Sequence, residues 1–546
     1  MNKPKRKGKK GSAASKGNYI VMCTLMYVCS LIFRIPLLYM IGEKGIAFYS
    51  VAGELYVIAG CMFTYGLSEA VSSLVRYRVK RDQFKNAGRV LHEAILIALV
   101  TGIILNILFI FTGNVFVTKV ICLPLAGLAV GYIAPAILLQ MLTGVFKGYF
   151  EGNGSRVPSM HSLCLKTLFL LIAGLIGASI EHKYGVKVSA LLQNEDYAAA
   201  HGAKGAAIGI LIASALGFLH MLLLFFMYRG NTKKYKSRDM QKSPDSGFAI
   251  FHMLIGTAAP FAAYALLFRI VPLLDGIFFV RLSKEGIDAA KVWGNYYGKY
   301  LVIIGVISLL ITLVWNGQIK KIIYYVDRDE LRTARSKTGI LVHQTAIITV
   351  PAAIFTAVLS ENLLNLLFKG NNKDMAGLVT AGSVIIVLFA FSGLFAEILI
   401  SMKKMSYVIG YEAIALIVHI ILVIVLLNST ELSITAIVIG NIAFFAVLTV
   451  FGFLMVSRII QYRQEWLHTA AFTLIAGAIT GLITMLLNKG ISSIAGTTIS
   501  LVACLVIGII IYMILLIVTR AVTEQELEEM PAGGILLQLG RLIKFM

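Results

Sequence analysis

Two arginines sit in stretches otherwise suited to hydrocarbon. Leu31-Ile32-Phe33-Arg34-Ile35 and Leu266-Leu267-Phe268-Arg269-Ile270 give them nearly the same five-residue setting. A charge at the centre of a bilayer costs about 3 kcal/mol or more, so an arginine kept there is expected to face a polar cavity and to serve a function. A guanidinium is permanently charged and offers a planar donor fork matched to phosphate or carboxylate oxygens. The chemistry these residues suggest is therefore the holding of an anion. Pro36 and Pro272 follow each arginine closely. A proline inside a helix removes a backbone hydrogen bond and bends the axis, which frees carbonyls toward a cavity.

Other ionisable residues fall in apolar stretches. Lys299, flanked by Tyr296, Tyr297 and Tyr300, is a further candidate for cargo contact, whereas Lys166 lies near a helix end, within reach of snorkelling. Asp275 lies six residues after Arg269, a poor spacing for a same-face pair, and is expected to meet Arg34 or the cargo instead. Glu54, Glu397 and Glu412 are candidates for ion coupling, since an acid within a membrane can carry a proton or bind sodium. Each of these acids has an equally simple role as a fixed counter-ion. Tyr49, Tyr56 and Tyr65 stripe the same region, a pattern that packing alone also produces.

Several function classes lack their signatures. No G-x-x-x-x-G-K-[ST] loop is present to cradle ATP phosphates, and no H-E-x-x-H or other metal spacing occurs. The nine histidines are scattered, with His419 deepest in an apolar run. Cys23, Cys29, Cys61, Cys122, Cys164 and Cys504 all fall in predicted helices without C-x-x-C spacing, so neither disulfides nor zinc is implied. With no nucleophile–base constellation, enzymatic function is not expected, and neither is a cofactor. Any energy source is expected to be the membrane potential, a proton or sodium.

The elements that must position these residues are long and apolar. The chain has 546 residues, 58% hydrophobic and 14% charged, too apolar for a soluble protein of this size. Fourteen stretches are long enough to span a bilayer as helices, roughly 18–41, 46–75, 90–111, 120–146, 158–180, 203–227, 250–280, 293–315, 339–359, 376–400, 405–428, 433–456, 469–487 and 494–519. They are continuous Leu/Ile/Val/Phe runs rather than the alternating segments of a barrel, so the fold class is an all-α integral membrane protein. In helix 8, Trp293 and Trp315 lie 22 residues apart, about 33 Å, the spacing of two interfacial indoles.

The formal net charge of +22 is a topological signal. About 34 of the 49 Lys and Arg fall in the tails and the even-numbered gaps, the distribution expected if both termini are cytoplasmic. Nucleic acid is not implied as a partner, while bilayer lipids are, through the basic tail of residues 1–17. The expected organisation is that tail, an N-lobe of helices 1–6 (18–228), a cytoplasmic linker (229–249), a C-lobe of helices 7–12 (250–457), helices 13 and 14 (458–520), and a cytoplasmic amphipathic tail (521–546). Two matches suggest that the lobes are parallel repeats. The Phe-Arg-Ile pair sets helix 1 against helix 7, and Thr143-Gly144-Val145-Phe146 matches Ser392-Gly393-Leu394-Phe395.

Several motifs together resemble one family. Arg34-Ile35 through Ile41-Gly42-Glu43-Lys44-Gly45 with Tyr49 resembles the first helix and loop of bacterial polysaccharide flippases. Tyr65-Gly66-Leu67-Ser68 through Val71-Ser72 is similar to the end of their second helix, and Phe146-Lys147-Gly148-Tyr149-Phe150-Glu151-Gly152 to the turn after their fourth. Glu524–Pro531 with Gly533-Gly534 is similar to their ending. The group is the multidrug/oligosaccharidyl-lipid/polysaccharide exporter superfamily, in its stage V sporulation protein B-like branch.

The resemblance implies a V-shaped bundle of two six-helix lobes, alternating access without ATP, and helices 13 and 14 as a groove for a lipid tail. It also implies lipid II or another undecaprenyl-linked saccharide as cargo, with a cell-envelope synthase as the protein partner such a role calls for. Arg34 matches the helix 1 arginine that such flippases turn to a pyrophosphate. Where their helix 8 offers an aspartate–arginine pair, this chain reads Tyr297-Gly298-Lys299-Tyr300, with Lys299 as the replacement charge. A cation-coupled multidrug exporter of the same architecture is the rival reading. In it Asp275 or Glu54 would outweigh the arginines. A non-transporting scaffold for envelope assembly is a third reading.

Overall fold

The computed structural model describes residues 11–236, 239, 245–284, 286–315, 317–464, 467–519 and 521–522. Among them, all regular structure is helical. Twelve helices are long and apolar enough to cross a membrane. Two of these, Tyr19–Val79 and Ala470–Val518, are of double length and are interrupted by a glycine at positive φ. At Gly42 (φ 73°) the chain reverses, because Tyr19 and Val75 both end beside the close of helix 4, at Glu151 and Gly152. Gly496 (φ 81°) makes the second reversal, which brings Tyr512 back to Ala476. Left-handed φ favours glycine, so one residue suffices for each turn. Among the described residues these reversals divide the twelve into fourteen spans.

They are helix 1 (19–41), helix 2 (43–79), helix 3 (Phe84–Ile121), helix 4 (Ile133–Gly152), helix 5 (Val157–Leu192), helix 6 (Asp196–Tyr228) and helix 7 (Gly247–Leu282). The rest are helix 8 (Ala289–Trp315), helix 9 (Leu331–Val358), helix 10 (Lys373–Ser401), helix 11 (Met405–Ser429), helix 12 (Ile434–Ile460), helix 13 (470–495) and helix 14 (497–518).

The structure departs from the sequence-based expectation in several places. Helix 4 starts at Ile133 rather than near 120, because Phe116–Ile121 closes helix 3 as a π turn and Pro124 opens a short 3-10 turn. Cys122, at φ 63°, falls in that break rather than inside a helix. Residues 181–192 and 196–202, expected as a loop, extend helices 5 and 6. Their polar groups pair there: Glu181 Oε2 lies 3.1 Å from both His201 Nδ1 and Lys204 Nζ, while Gly185 lets the backbone of Ala198 come close. Neither Trp293 nor Trp315 is an interfacial indole. Both are buried, and they donate to Ser50 Oγ (3.0 Å) and Thr345 Oγ1 (3.2 Å) respectively.

The repeat motifs occupy equivalent places. A side chain at Gly144 of helix 4 would collide with Thr64 of helix 2, and one at Gly393 of helix 10 would press on Trp315 of helix 8. Helices 1 and 7 are each interrupted beside their arginine, at Phe33 and Ile270. Pro36 and Pro272 leave the carbonyls of Ile32 and Phe268 without their helical partners.

By contacts the chain forms two compact units, 1–298 with 427–433, and 299–426 with 434–546. Inside the first, helices 5 and 6 pack so closely that a side chain at Gly205 would collide with the carbonyl of Gly177, a small-residue contact of the kind that draws helices together in lipid. In the second unit, helices 13 and 14 are pinned to Asn362. Its amide donates to Asn488 Oδ1 at 2.7 Å, and Ser500 Oγ donates to the same oxygen at 2.7 Å. Of the two expected tails, 1–10 and 523–546 lie outside the described residues, while 11–17 lie in the helix Gly11–Ile32.

Candidate substrate-binding site

Helix 8 runs beside helix 2 through the first unit. Gly294 makes this approach possible, because any side chain there would collide with the carbonyl of Glu43. Three residues further along, Tyr297 reaches Glu54, its hydroxyl donating to Oε1 at 2.6 Å. The Arg34 guanidinium completes the group. It donates to the Tyr297 hydroxyl at 2.7 Å and lies 3.6 Å from Glu54 Oε1, with its Cζ 3.7 Å from the Tyr297 ring centroid. The Arg34 and Glu54 side chains are 13% and 8% exposed, so charge and counter-charge satisfy each other out of water. Tyr49, packed edge-on against Phe33, closes the wall beside them.

Arg269 is placed differently. It is exposed, its guanidinium beside the Cys61 thiol and 5.6 Å from the Phe268 ring, and no carboxylate pairs with it among the described residues. Cys61 lies in a π turn of helix 2, Gly60–Tyr65. Such turns widen the helix and recur at functional sites. Glu54, Cys61 and Tyr65 recur along helix 2 at helical spacing, and Tyr65 packs edge-on against Phe261 of helix 7.

Asp275 is buried at 2% exposure and is not among Arg34's partners, which are Glu54 and Tyr297. The adjoining Gly276 rests against Trp293, beside a small recess lined by Ser50, Glu54, Pro272 and Trp293. The second unit holds the other candidates. Lys299 is buried, its Nζ 3.4 Å from Asn372 Oδ1. Glu397 is exposed, while Glu412 is 2% exposed with one carboxylate oxygen lacking a hydrogen-bond partner. His419 is fully buried where Gly440 brings helix 12 close.

The first unit thus brings Arg34 and Glu54 together and sets Arg269 nearby. Tyr297 is a member of the group that charge counting could not single out, because it is uncharged and 243 residues from Glu54. Its signal in the sequence is only the cluster Tyr296-Tyr297-Gly298-Lys299-Tyr300. The arrangement can hold an anion and exchange one counter-charge for another.

Residues 19–176 match the MatE family model. Stage V sporulation protein B of Bacillus subtilis (strain 168) is 21% identical over 532 residues, covering 96% of this chain and 98% of that protein. Among solved structures, the lipid II flippase MurJ in an inward closed conformation aligns with a TM-score of 0.65 at 15% identity, over 92% of this chain and 98% of the other. An inward-facing multidrug resistance MATE transporter aligns with a TM-score of 0.62 at 14% identity, over 82% of this chain and 99% of the other. At these identities the structural likenesses establish the fold.

Proposed function

We propose that the chain is a multi-pass membrane transporter of the multidrug/oligosaccharidyl-lipid/polysaccharide exporter superfamily, a reading supported by its similarity to the MatE model and to stage V sporulation protein B, and that it flips an undecaprenyl-pyrophosphate-linked saccharide. The cargo is lipid II or a related polysaccharide precursor, moved from the inner to the outer leaflet by alternating access. The observation that carries this reading is the surplus of basic groups within the spans of the first unit. Arg269 has no ion pair there and Arg34 is held by a single carboxylate, a setting suited to a diphosphate. The relation to stage V sporulation protein B extends the proposal to a role in peptidoglycan assembly during sporulation.

In this scheme the pyrophosphate meets Arg269 first and then competes with Glu54 for Arg34, while the prenyl chain stays in lipid. Lys299 is kept as a later contact and Asp275 as the acid that resets the site. The membrane potential supplies about 2.3 kcal/mol per charge per 100 mV to the return of a cationic cavity. Proton or sodium coupling through Glu412 or Glu397 is the alternative supply.

The rival reading, a cation-coupled multidrug exporter, draws on one observation, the buried Glu412 carboxylate with an unpartnered oxygen. Fluorescent lipid II in proteoliposomes decides between them. Wild-type protein is expected to move it to the far leaflet, and Arg34→Ala/Arg269→Ala to lose at least tenfold in rate. Efflux of a cationic dye that survives the double substitution and fails in Glu412→Gln would establish the exporter instead.

A further inference from the structure

Helices 2 and 3 meet in a strongly basic turn. Six basic residues lie between Arg76 and Arg89, against one acid, Asp82. Arg78, near the end of helix 2, is only 3% exposed, an uncommon place for a guanidinium. Its Nη2 donates to Asp245 Oδ2 at 2.7 Å and touches Met253 Sδ at 3.8 Å, while its buried Nε has no hydrogen-bond partner. Asp245 belongs to the linker that precedes helix 7. Its amide donates to Oδ1 of the fully buried Asn86 at 3.0 Å, and its carbonyl accepts from Nη1 of the exposed Arg89 at 2.5 Å. A second linker acid, Asp239, accepts from the Lys85 backbone amide at 2.7 Å. That amide is one of the donors that the first turn of helix 3 leaves without a helical partner. Both linker acids therefore stand at anion positions, one on a guanidinium and one on a helix N-terminus.

A buried guanidinium needs a counter-charge and a partner for each N–H it takes out of water. Asp245 meets that need only in part. Its carboxylate, on a side chain 36% exposed, leaves Nε of Arg78 unanswered, and Arg89 is spent on a neutral carbonyl. With both linker acids counted, the turn still keeps a surplus of three positive charges. A tetrahedral phosphate presents oxygens in more than one plane, can engage both arginines at once, and matches their donor forks. The socket also lies where two spans end, at the level of lipid headgroups. We propose that Arg78, Arg89 and the start of helix 3 form a phosphate-binding site, in which Asp245 is a tethered stand-in that a phosphate displaces. Displacement frees the linker from Asn86 and loosens the start of helix 7, where Ser246 Oγ caps the Ala249 amide at 3.2 Å. An anionic lipid headgroup and free phosphate share this chemistry. The site is independent of the cargo that the spans carry.

Removing the stand-in should strengthen the site. In full-length protein held in phosphatidylcholine nanodiscs, Asp245→Asn is expected to bind phosphatidylglycerol or inorganic phosphate about tenfold more tightly than the parent. The competing carboxylate then no longer occupies the arginine. Arg89→Gln in the same background should abolish the gain. The parent itself supplies a second measurement that needs no substitution. Adding the ligand should speed hydrogen exchange at the Asp245 amide, which Asn86 otherwise protects. A gain with phosphatidylglycerol alone would make the ligand a headgroup, and a gain with inorganic phosphate would make it a free anion. Equal affinities in the parent and Asp245→Asn would reduce the contact to a structural ion pair and overturn the site. So would binding that leaves the Asp245 amide protected. Neither readout uses transport, so neither bears on the proposed cargo.

Discussion

Arg34, Glu54 and Tyr297 form a closed set, in which each side chain answers the polar demand of another. Tyr297 donates to Glu54 and accepts from Arg34, and the two charges lie 3.6 Å apart at low exposure. Removing one partner of a buried pair strands the other charge, at about 3–5 kcal/mol, whereas replacing both by apolar residues is often close to neutral. Glu54→Leu is therefore expected to lower thermal stability in detergent strongly, and Arg34→Met/Glu54→Leu to recover most of the loss. Additive losses from Glu54→Leu and Arg34→Met would mean that the pair is not coupled. At this scale the sequence was legible where a residue was out of place. An arginine inside an apolar run announces itself, and Arg34 and Arg269 were found that way. Their partners were not, because Glu54 was one acid among four and Tyr297 one tyrosine among 23. Asp275, the acid sequence reasoning matched to Arg34, is buried among other contacts, since pairing depends on which helices adjoin and not on separation along the chain.

The partners meet because helix 8 lies against helix 2, and the contact turns on one glycine. At Gly294 a methyl group has nowhere to go but into the backbone of Glu43. Gly294→Ala is expected to push helix 8 off helix 2 at about 2–3 kcal/mol, the usual cost of overpacking. Trp293 would then lose its bond to Ser50 and Tyr297 its bond to Glu54. Gly256 of helix 7 has open space around it, so Gly256→Ala should instead gain about 0.5–1 kcal/mol from helix propensity alone. Opposite signs for these two substitutions in thermal unfolding would tie the site to the helix contact; the same sign would break the link. Periodicity and length revealed the helices but not this contact. Nor did they reveal the π turns at Gly60–Tyr65 and Tyr296–Tyr300, which differ from α-helix only in hydrogen-bond register. The helical extension of 181–202 escaped for a related reason. Falling hydropathy marks the edge of the hydrocarbon, whereas a helix ends only where its backbone and side chains lose their partners.

For the molecule as a whole, the strongest sequence signal was where the basic residues fall, and it remains the sharpest guide to orientation. An even number of spans would put both ends of the described chain on one side, and the excess of Lys and Arg in the even-numbered connections predicts that this side is cytoplasmic. With that orientation Lys187, exposed near the tip of the helix 5–6 hairpin, is expected on the outer face, and Ser336, exposed near the start of helix 9, on the inner one. A membrane-impermeant maleimide added to intact cells should label Lys187→Cys in a cysteine-free background. It should reach Ser336→Cys only after the membrane is opened. The inverse pattern would reverse the direction of transport, because a headgroup could no longer reach Arg269 from the leaflet in which it is made. Labelling of both positions in sealed cells would break the even count of spans. The division between the compact units, at Gly298 and Lys299, falls inside the π turn of helix 8. One helix therefore carries Tyr297 into the group around Arg34 and Lys299 into the second unit.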